Sequence, residues 1–190
     1  MRTASESAVN LPQAEQFLHR LGWPHTFQTF DDSKQGRRQL ARVIHGKKFS
    51  DVALSLSRLN EQGAGIFFTV NQTDGKGRSA KNITAVRALF VDGDDVDAPP
   101  MWHHCPDIFV WREDTRGLVA RRWHAYWITK TGDIPLSKFE ACQKRLAAHY
   151  HTDPAVHDLP RVMRVPGFLH RKAEPQPVYC YCMESTTWKS

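Results

Sequence analysis

Apolar residues recur at a helical period early in the chain. Leu11, Ala14, Phe17, Leu18 and Leu21 fall on one face, and Gly22-Trp-Pro24 ends the run. Shorter patterns follow. Residues 26–30 and 39–44 read as two strands around a polar, Gly-containing turn. Ser50 stands at a helix-cap position ahead of Val52, Leu56 and Leu59 on one face, and Gly63 closes that segment. A strand over 66–70, a polar connection over 71–82 and a further strand over 85–91 come next. Residues 108–111 and 123–129 read as an antiparallel pair, with 112–122 as the hairpin loop. Ser137-Lys-Phe-Glu140 has the spacing of a capping box and opens a helix with Phe139, Cys142, Leu146 and Tyr150 on one stripe. A strand over 178–183 precedes a polar tail. The sum predicts an α+β or mixed α/β domain, with a mostly antiparallel sheet and helices packed against it.

One of these strands carries chemistry. Ala88-Leu-Phe-Val-Asp92-Gly-Asp94-Asp95 is an apolar run too short for a helix that delivers carboxylates at positions i and i+2. Alternation along a strand puts Asp92 and Asp94 on one face as they leave its end. Two like charges that close repel unless a cation sits between them, and a hard divalent ion with oxygen ligands, Mg²⁺ or Mn²⁺, is the usual resolution. Phosphoryl or nucleotidyl transfer is then the first reading. The same residues also suit an acidic solvated turn after a strand, and the segment alone leaves both open.

Composition narrows the class without deciding it. At 190 residues the chain fits one domain, with the first ten residues as a flexible start and 175–190 as a link to further domains. No stretch has the length of a membrane span and the start lacks a signal-type apolar core, so a cytoplasmic location with no membrane partner is the expectation. Cys105, Cys142, Cys180 and Cys182 match no zinc spacing and read as reduced thiols. The net charge of +6 favours polyanionic partners. Its distribution says more: basic residues cluster at Arg37, Arg38, Arg42, Lys47, Lys48, at Lys76, Arg78, Lys81, at Arg121, Arg122, and at Arg161, Arg164, Arg171, Lys172.

Two further segments belong with the carboxylates. In Arg121-Arg122-Trp-His124-Ala-Tyr-Trp127, alternation sets His124 on a face with Arg122 and Tyr126. Such a face would suit a triphosphate, since both His and Arg donate to phosphate oxygens. A histidine capping a sheet edge above an aromatic core fits the same pattern. Residues 151–172 add Asp153 and Asp158, then Arg161 and Arg164, then a Pro-Gly turn into His170-Arg171-Lys172. A third carboxylate is what two-metal nucleotidyl transfer requires. The Arg161/Arg164 spacing would aim both guanidinium groups the same way on a helical turn.

In this order the motifs resemble the archaeo-eukaryotic primase superfamily, and most closely RepB-type primases and primase-polymerases of plasmids and phages. The resemblance runs over residues 27–172 and is carried by Phe27-Gln-Thr-Phe-Asp31-Asp32, the stretch from Asn71 to Arg78 with Asn82-Ile, Arg87-Ala-Leu-Phe-Val-Asp92-Gly-Asp94, His124-Ala-Tyr-Trp127 and Arg161-Val-Met-Arg164-Val-Pro-Gly167-Phe. It implies a primase catalytic fold: an RRM-like antiparallel sheet carrying the site, an N-terminal α/β unit and flanking helices. It implies template-directed nucleotidyl transfer on single-stranded DNA, with nucleoside triphosphates as substrates and Mg²⁺ or Mn²⁺ held by Asp92, Asp94 and Asp153. His124, Arg164, Arg122 and His170 would face the nucleotide, and Lys76, Arg78, Lys81, Arg161, Arg171 and Lys172 the DNA. A replicative helicase or further C-terminal domains would be partners. This sequence departs from the family's Ser-x-His motif, because Arg122 occupies the serine's place; Arg121 or Arg122 would supply those contacts. Asp158 competes with Asp153 for the third acid. The rival readings are a non-catalytic origin- or single-strand-binding module and a two-metal nuclease.

Overall fold

Two four-stranded antiparallel sheets face each other across a shared apolar core. The computed structural model describes residues 8–33, 35–94, 99–112 and 122–183, with Asp94 described in its backbone only. In chain order the elements are α1 (Leu11–Leu21), β1 (His25–Asp31), β2 (Val43–Gly46), α2 (Ala53–Glu61), β3 (Ala64–Thr69), β4 (Gln72–Thr73), β5 (Ile83–Ala85), β6 (Ala88–Asp94), β7 (Ile108–Arg112), β8 (Arg122–Ile128), α3 (Leu136–Tyr150), β9 (Val162–Arg164) and β10 (Tyr179–Cys182). The first sheet has the order β2-β1-β3-β9, the second β10-β7-β8-β6, and β4 pairs with β5 as a small hairpin. The α+β architecture is as the sequence pattern predicts. Among the described residues no helix is long and apolar enough to cross a membrane.

The apolar stripe of α1 explains its place between the sheets. Asn10 caps its start by accepting from the Gln13 N–H at 3.1 Å, and Gly22, at φ +81°, ends it. Phe17 then stacks edge-on to Phe68 of the first sheet at 5.2 Å and to Tyr126 of the second at 5.7 Å. Aromatic burial of this kind is worth more than area alone, so the two sheets are fixed through one helix. A second, smaller cluster lies on the far side of the second sheet, where α3 and Trp102 cover Val91, Trp123 and Ala125.

Several local expectations are corrected. The strand expected over 39–44 starts at Val43, because Arg38–Leu40 coil into a 3-10 turn that buries Leu40. The Thr29 hydroxyl holds that turn by donating to the Leu40 carbonyl at 2.6 Å. Ser50 is not a cap: the Asp51 carboxylate accepts from the Lys47 and Lys48 N–H groups instead, each at 3.1 Å, and α2 begins at Ala53. Ser137 is not a cap either. Pro135 precedes α3 with φ −60° and no side-chain cap bond is made, the ring's fixed dihedral being suited to a helix start. The inward stripe of α3 is Phe139, Gln143, Ala147 and Tyr150 rather than one passing through Cys142. Arg161 and Arg164 lie beside and on a strand, not on a helical turn, since Val162 and Met163 enter the β3–β9 ladder.

Candidate active site

The register of the second sheet brings the sequence motifs together. Asp92 of β6 pairs with His124 of β8, and Asp94 with Arg122. One strand further, Val110 pairs with His124 and Arg112 with Arg122. Both acids therefore lie inside the paired ladder rather than beyond the strand's end. From the first sheet, Phe67 of β3 pairs with Arg164 of β9, and the Arg164 guanidinium sits over the Phe67 ring at 4.4 Å. Asp92, His124, Arg122 and Arg112 from one side and Phe67 and Arg164 from the other line one cleft, which His170 and Lys172 complete.

Electrostatics inside the cleft are set by burial among cations. Asp32 grips Arg164 with both carboxylate oxygens, at 2.8 and 3.0 Å, and also accepts the Arg171 N–H at 3.0 Å. Burial alone would raise the Asp32 pKa; the hydrogen bonds and charge of Arg164 and the Arg171 N–H outweigh it and hold the carboxyl below its usual range. Burial, then the charge of Arg164, pushes His124 down to about 3, so the ring is neutral at physiological pH. Its Nδ1 lies 3.0 Å from the Tyr126 hydroxyl. His170 is likewise lowered to about 3, by burial and then by Arg164 and Arg112, and accepts from the Arg112 guanidinium at 3.0 Å.

Asp153, expected as the third acid, is tied to Asp92 through the main chain. The Asp153 N–H donates to the Asp92 carbonyl at 3.1 Å across the outer edge of β6, and Asp153 Oδ1 accepts the Ala155 N–H at 2.8 Å. Just above on that edge, Gln143 of α3 accepts from the Phe90 N–H at 3.1 Å. Its amide donates to the Phe90 and Val156 carbonyls at 2.9 and 3.1 Å. A polar side chain thus closes a sheet edge and fixes the segment carrying Asp153. Asp158 points elsewhere, into an ion pair with Arg161 at 2.6 Å. Carboxylates are hard oxygen donors of the kind Mg²⁺ and Mn²⁺ take, and Asp92 and Asp153 fit that chemistry. Among the described residues no three metal-ligating side chains converge on one point; the Asp94 side chain lies outside them.

The remaining residues expected to act divide. Lys172 and His170 reach the cleft. Arg171 contributes its N–H to Asp32, and Arg161 is occupied by Asp158 and the Ala155 carbonyl. Lys76 and Lys81 are exposed on the connection between β4 and β5, where Arg78 is anchored by donating to Gln28 Oε1 at 2.6 Å. Arg121 lies outside the described residues. Sequence reasoning missed three contributors. Asp32 stands in a stretch that carries the resemblance but has no role assigned there, Arg112 falls at the start of the predicted hairpin loop, and Gln143 lies one place off the predicted stripe of α3.

Comparison with known proteins places this geometry. Residues 119–184 match the model of the RepB DNA-primase N-terminal domain. The AEP domain of the cyanophage S-2L primase-polymerase is similar at a TM-score of 0.69 and 18% identity, over 90% of this chain and 88% of that one. The catalytic domain of primase RepB′ in complex with initiator DNA gives 0.62 at 20% identity, over 93% and 85% of the two chains. A crystal structure of primase RepB′ gives 0.61 at 20% identity, over 93% of this chain and 56% of that chain. No curated protein sequence matches. The chain thus has the fold of primase catalytic domains, and its residues 119–184 resemble the RepB DNA-primase family.

Proposed function

We propose that the protein is a DNA primase or primase-polymerase that adds nucleotides to a primer strand, or to a first nucleotide, under the direction of a single-stranded DNA template. The observation that carries this reading is the register placing Asp92 opposite His124 and Asp94 opposite Arg122, in a cleft whose other wall brings in Arg164. A site for pure DNA binding gains nothing from carboxylates among its phosphate contacts. The relative solved with initiator DNA, and the +6 net charge, support DNA as partner.

In this reading Arg164, Arg122, Arg112 and Lys172 take the triphosphate, with His124 as a neutral donor beside them. Arg164 is held rigid by Asp32, so little side-chain freedom is lost when phosphate binds. Asp92 and Asp94, with Asp153, would hold Mg²⁺ or Mn²⁺, which would favour deprotonation of the attacking hydroxyl and neutralise charge developing on the phosphates. Lys76, Arg78 and Lys81 would track the template, and residues 1–190 would form one catalytic domain serving plasmid or phage replication with a helicase or further domains. The test is incubation with single-stranded DNA, labelled nucleotides and Mn²⁺ or Mg²⁺, with and without primer. Incorporation that Asp92→Asn abolishes is the expected result. Shortened DNA without incorporation would mean a nuclease, and DNA binding without either product a non-catalytic module.

A further inference from the structure

Tyr126 lies two residues beyond His124 on β8, one row deeper in the ladder, opposite Phe90. It is fully buried, at 0% exposure, and its ring packs on Phe17, Phe68 and Phe90 with centroids 5.7, 6.4 and 6.1 Å away. A phenol keeps its proton at neutral pH, and a buried O–H requires an acceptor. The packing around it is largely aromatic; His124 Nδ1 lies 3.0 Å from the hydroxyl, and burial, then the nearby Asp92 carboxylate and Cys180, hold the phenol's proton in place. Alternation puts the two side chains on one face, Tyr126 toward the core and His124 toward the cleft it lines. The inner ring nitrogen thus meets the phenol and leaves Nε2 as the polar atom nearer the opening.

A neutral imidazole has one N–H, and the partner of one nitrogen decides which nitrogen carries it. We propose that Tyr126 is a positioning residue: its hydroxyl donates to His124 Nδ1 and so fixes the ring with Nε2–H toward the cleft, ready to donate to a phosphate oxygen of a nucleoside triphosphate. The nucleotide part rests on the function proposed above. The alternative tautomer would turn a lone pair toward the phosphate. Any population of it lowers the fraction of competent protein and weakens apparent affinity in proportion.

Tyr126→Phe keeps the ring packing and removes only the hydroxyl. Protein labelled with ¹⁵N-histidine, with His124→Gln to assign the signal, reports the tautomer directly by two-bond ¹H–¹⁵N spectra. Calorimetry with dATP and Mn²⁺ reports affinity. The expected result is a single Nε2–H tautomer in the wild type and mixed tautomers in Tyr126→Phe. The variant's dATP affinity should fall by the inverse of its Nε2–H fraction, about twofold for an equal mixture of tautomers. A role in packing alone would shift the unfolding midpoint and leave the tautomer unchanged. Protonation on Nδ1 in the wild type overturns the proposal, as does a pure Nε2–H tautomer with wild-type affinity in the variant. If the wild type bound no dATP, the nucleotide reading of the cleft would fall, and with it the purpose assigned to Tyr126. The spectra would still decide separately whether Tyr126 sets the ring.

Discussion

Arg164 donates from both terminal nitrogens to the Asp32 carboxylate, although the two residues stand 132 apart in sequence. The pair is nearly dry, with side-chain exposures of 11% and 2%. Breaking a buried pair by removing one charge strands the other, which costs about 3–5 kcal/mol. Asp32→Asn, which retains part of the hydrogen bonding, should lower stability by roughly 2–4 kcal/mol in urea titrations. It should also weaken nucleotide binding at least tenfold, because Arg164 loses its anchor. Unchanged affinity in a folded variant would remove Arg164 from the nucleotide's contacts.

Gly65 offers a second route to the same pair. A Cβ there would collide with the Asp32 carboxylate and come within 2.8 Å of Arg164 Nη1. Gly65→Ala should therefore displace the clamp and reduce nucleotide affinity with Asp32 and Arg164 both intact. A variant with wild-type stability and affinity would show that the clamp shifts without cost.

The two candidates for the third acid separate by substitution. Asp153→Asn should reduce nucleotide incorporation by orders of magnitude, because the segment is bonded to Asp92 itself. Asp158→Asn should have a mild effect, since that carboxylate pairs with Arg161 away from the cleft. The reverse ranking in primer-extension assays would reassign the third acid.

Gln143 is 0% exposed and serves both Phe90 and the segment after α3. Gln143→Leu leaves the Phe90 N–H and carbonyl and the Val156 carbonyl without their partner, at about 1–3 kcal/mol for each buried group left unpaired. A loss of at least about 2 kcal/mol in thermal or urea unfolding is expected, with incorporation falling further than stability alone explains. Near-wild-type stability would mean that water or a shifted edge replaces the amide.

Acid should destabilise the fold before its carboxylates titrate. His25, 2% exposed, accepts from Arg87 at 3.0 Å and donates to the Leu18 carbonyl at 2.9 Å. Burial first, and the Arg87 charge second, lower it from 6.5 to about 3. The unfolded chain therefore binds a proton that the native state refuses. This contribution is fully present above pH 6.5 and is lost as the pH falls toward about 3, at up to about 1.4 kcal/mol per pH unit. Urea midpoints measured from pH 7.5 to 4.5 should decline across that window. His124 and His170, lowered likewise, add to the same decline, so a flat profile would mean that none of the three resists protonation in the native state.

Much of this was legible because it rests on short-range pattern. The period of α1, the alternation of β6 and β8 and the pairing of β7 with β8 are local; the pairing of β6 with β8 that sets Asp92 beside His124 reaches past β7 in the chain. What escaped depends on partners remote in sequence. Nothing near Asp32 points to Arg164, and Gln143 resembles a misplaced polar residue until β6 is seen to need an edge cap. The Arg161/Arg164 spacing suits a helix, yet the open edge of β3 draws Val162 and Met163 into a strand. Ser50 and Ser137 carry the right chemistry for caps, but Asp51 and Pro135, close by, fix those helix starts first.

The late return of β9 to the first sheet has a consequence for synthesis. β3 waits for residues 162–164 and β7 for 179–182, so neither sheet reaches its full width until those residues have left the ribosome. Pairings this distant in sequence are slow to form, since the entropy of closing a long loop comes before any contact that rewards it. A nascent chain stalled ahead of residue 162 lacks Arg164 altogether and leaves Phe67 on an uncovered edge. Interrupted translation therefore yields fragments with half a cleft and no Asp32–Arg164 clamp, whatever acids they already carry.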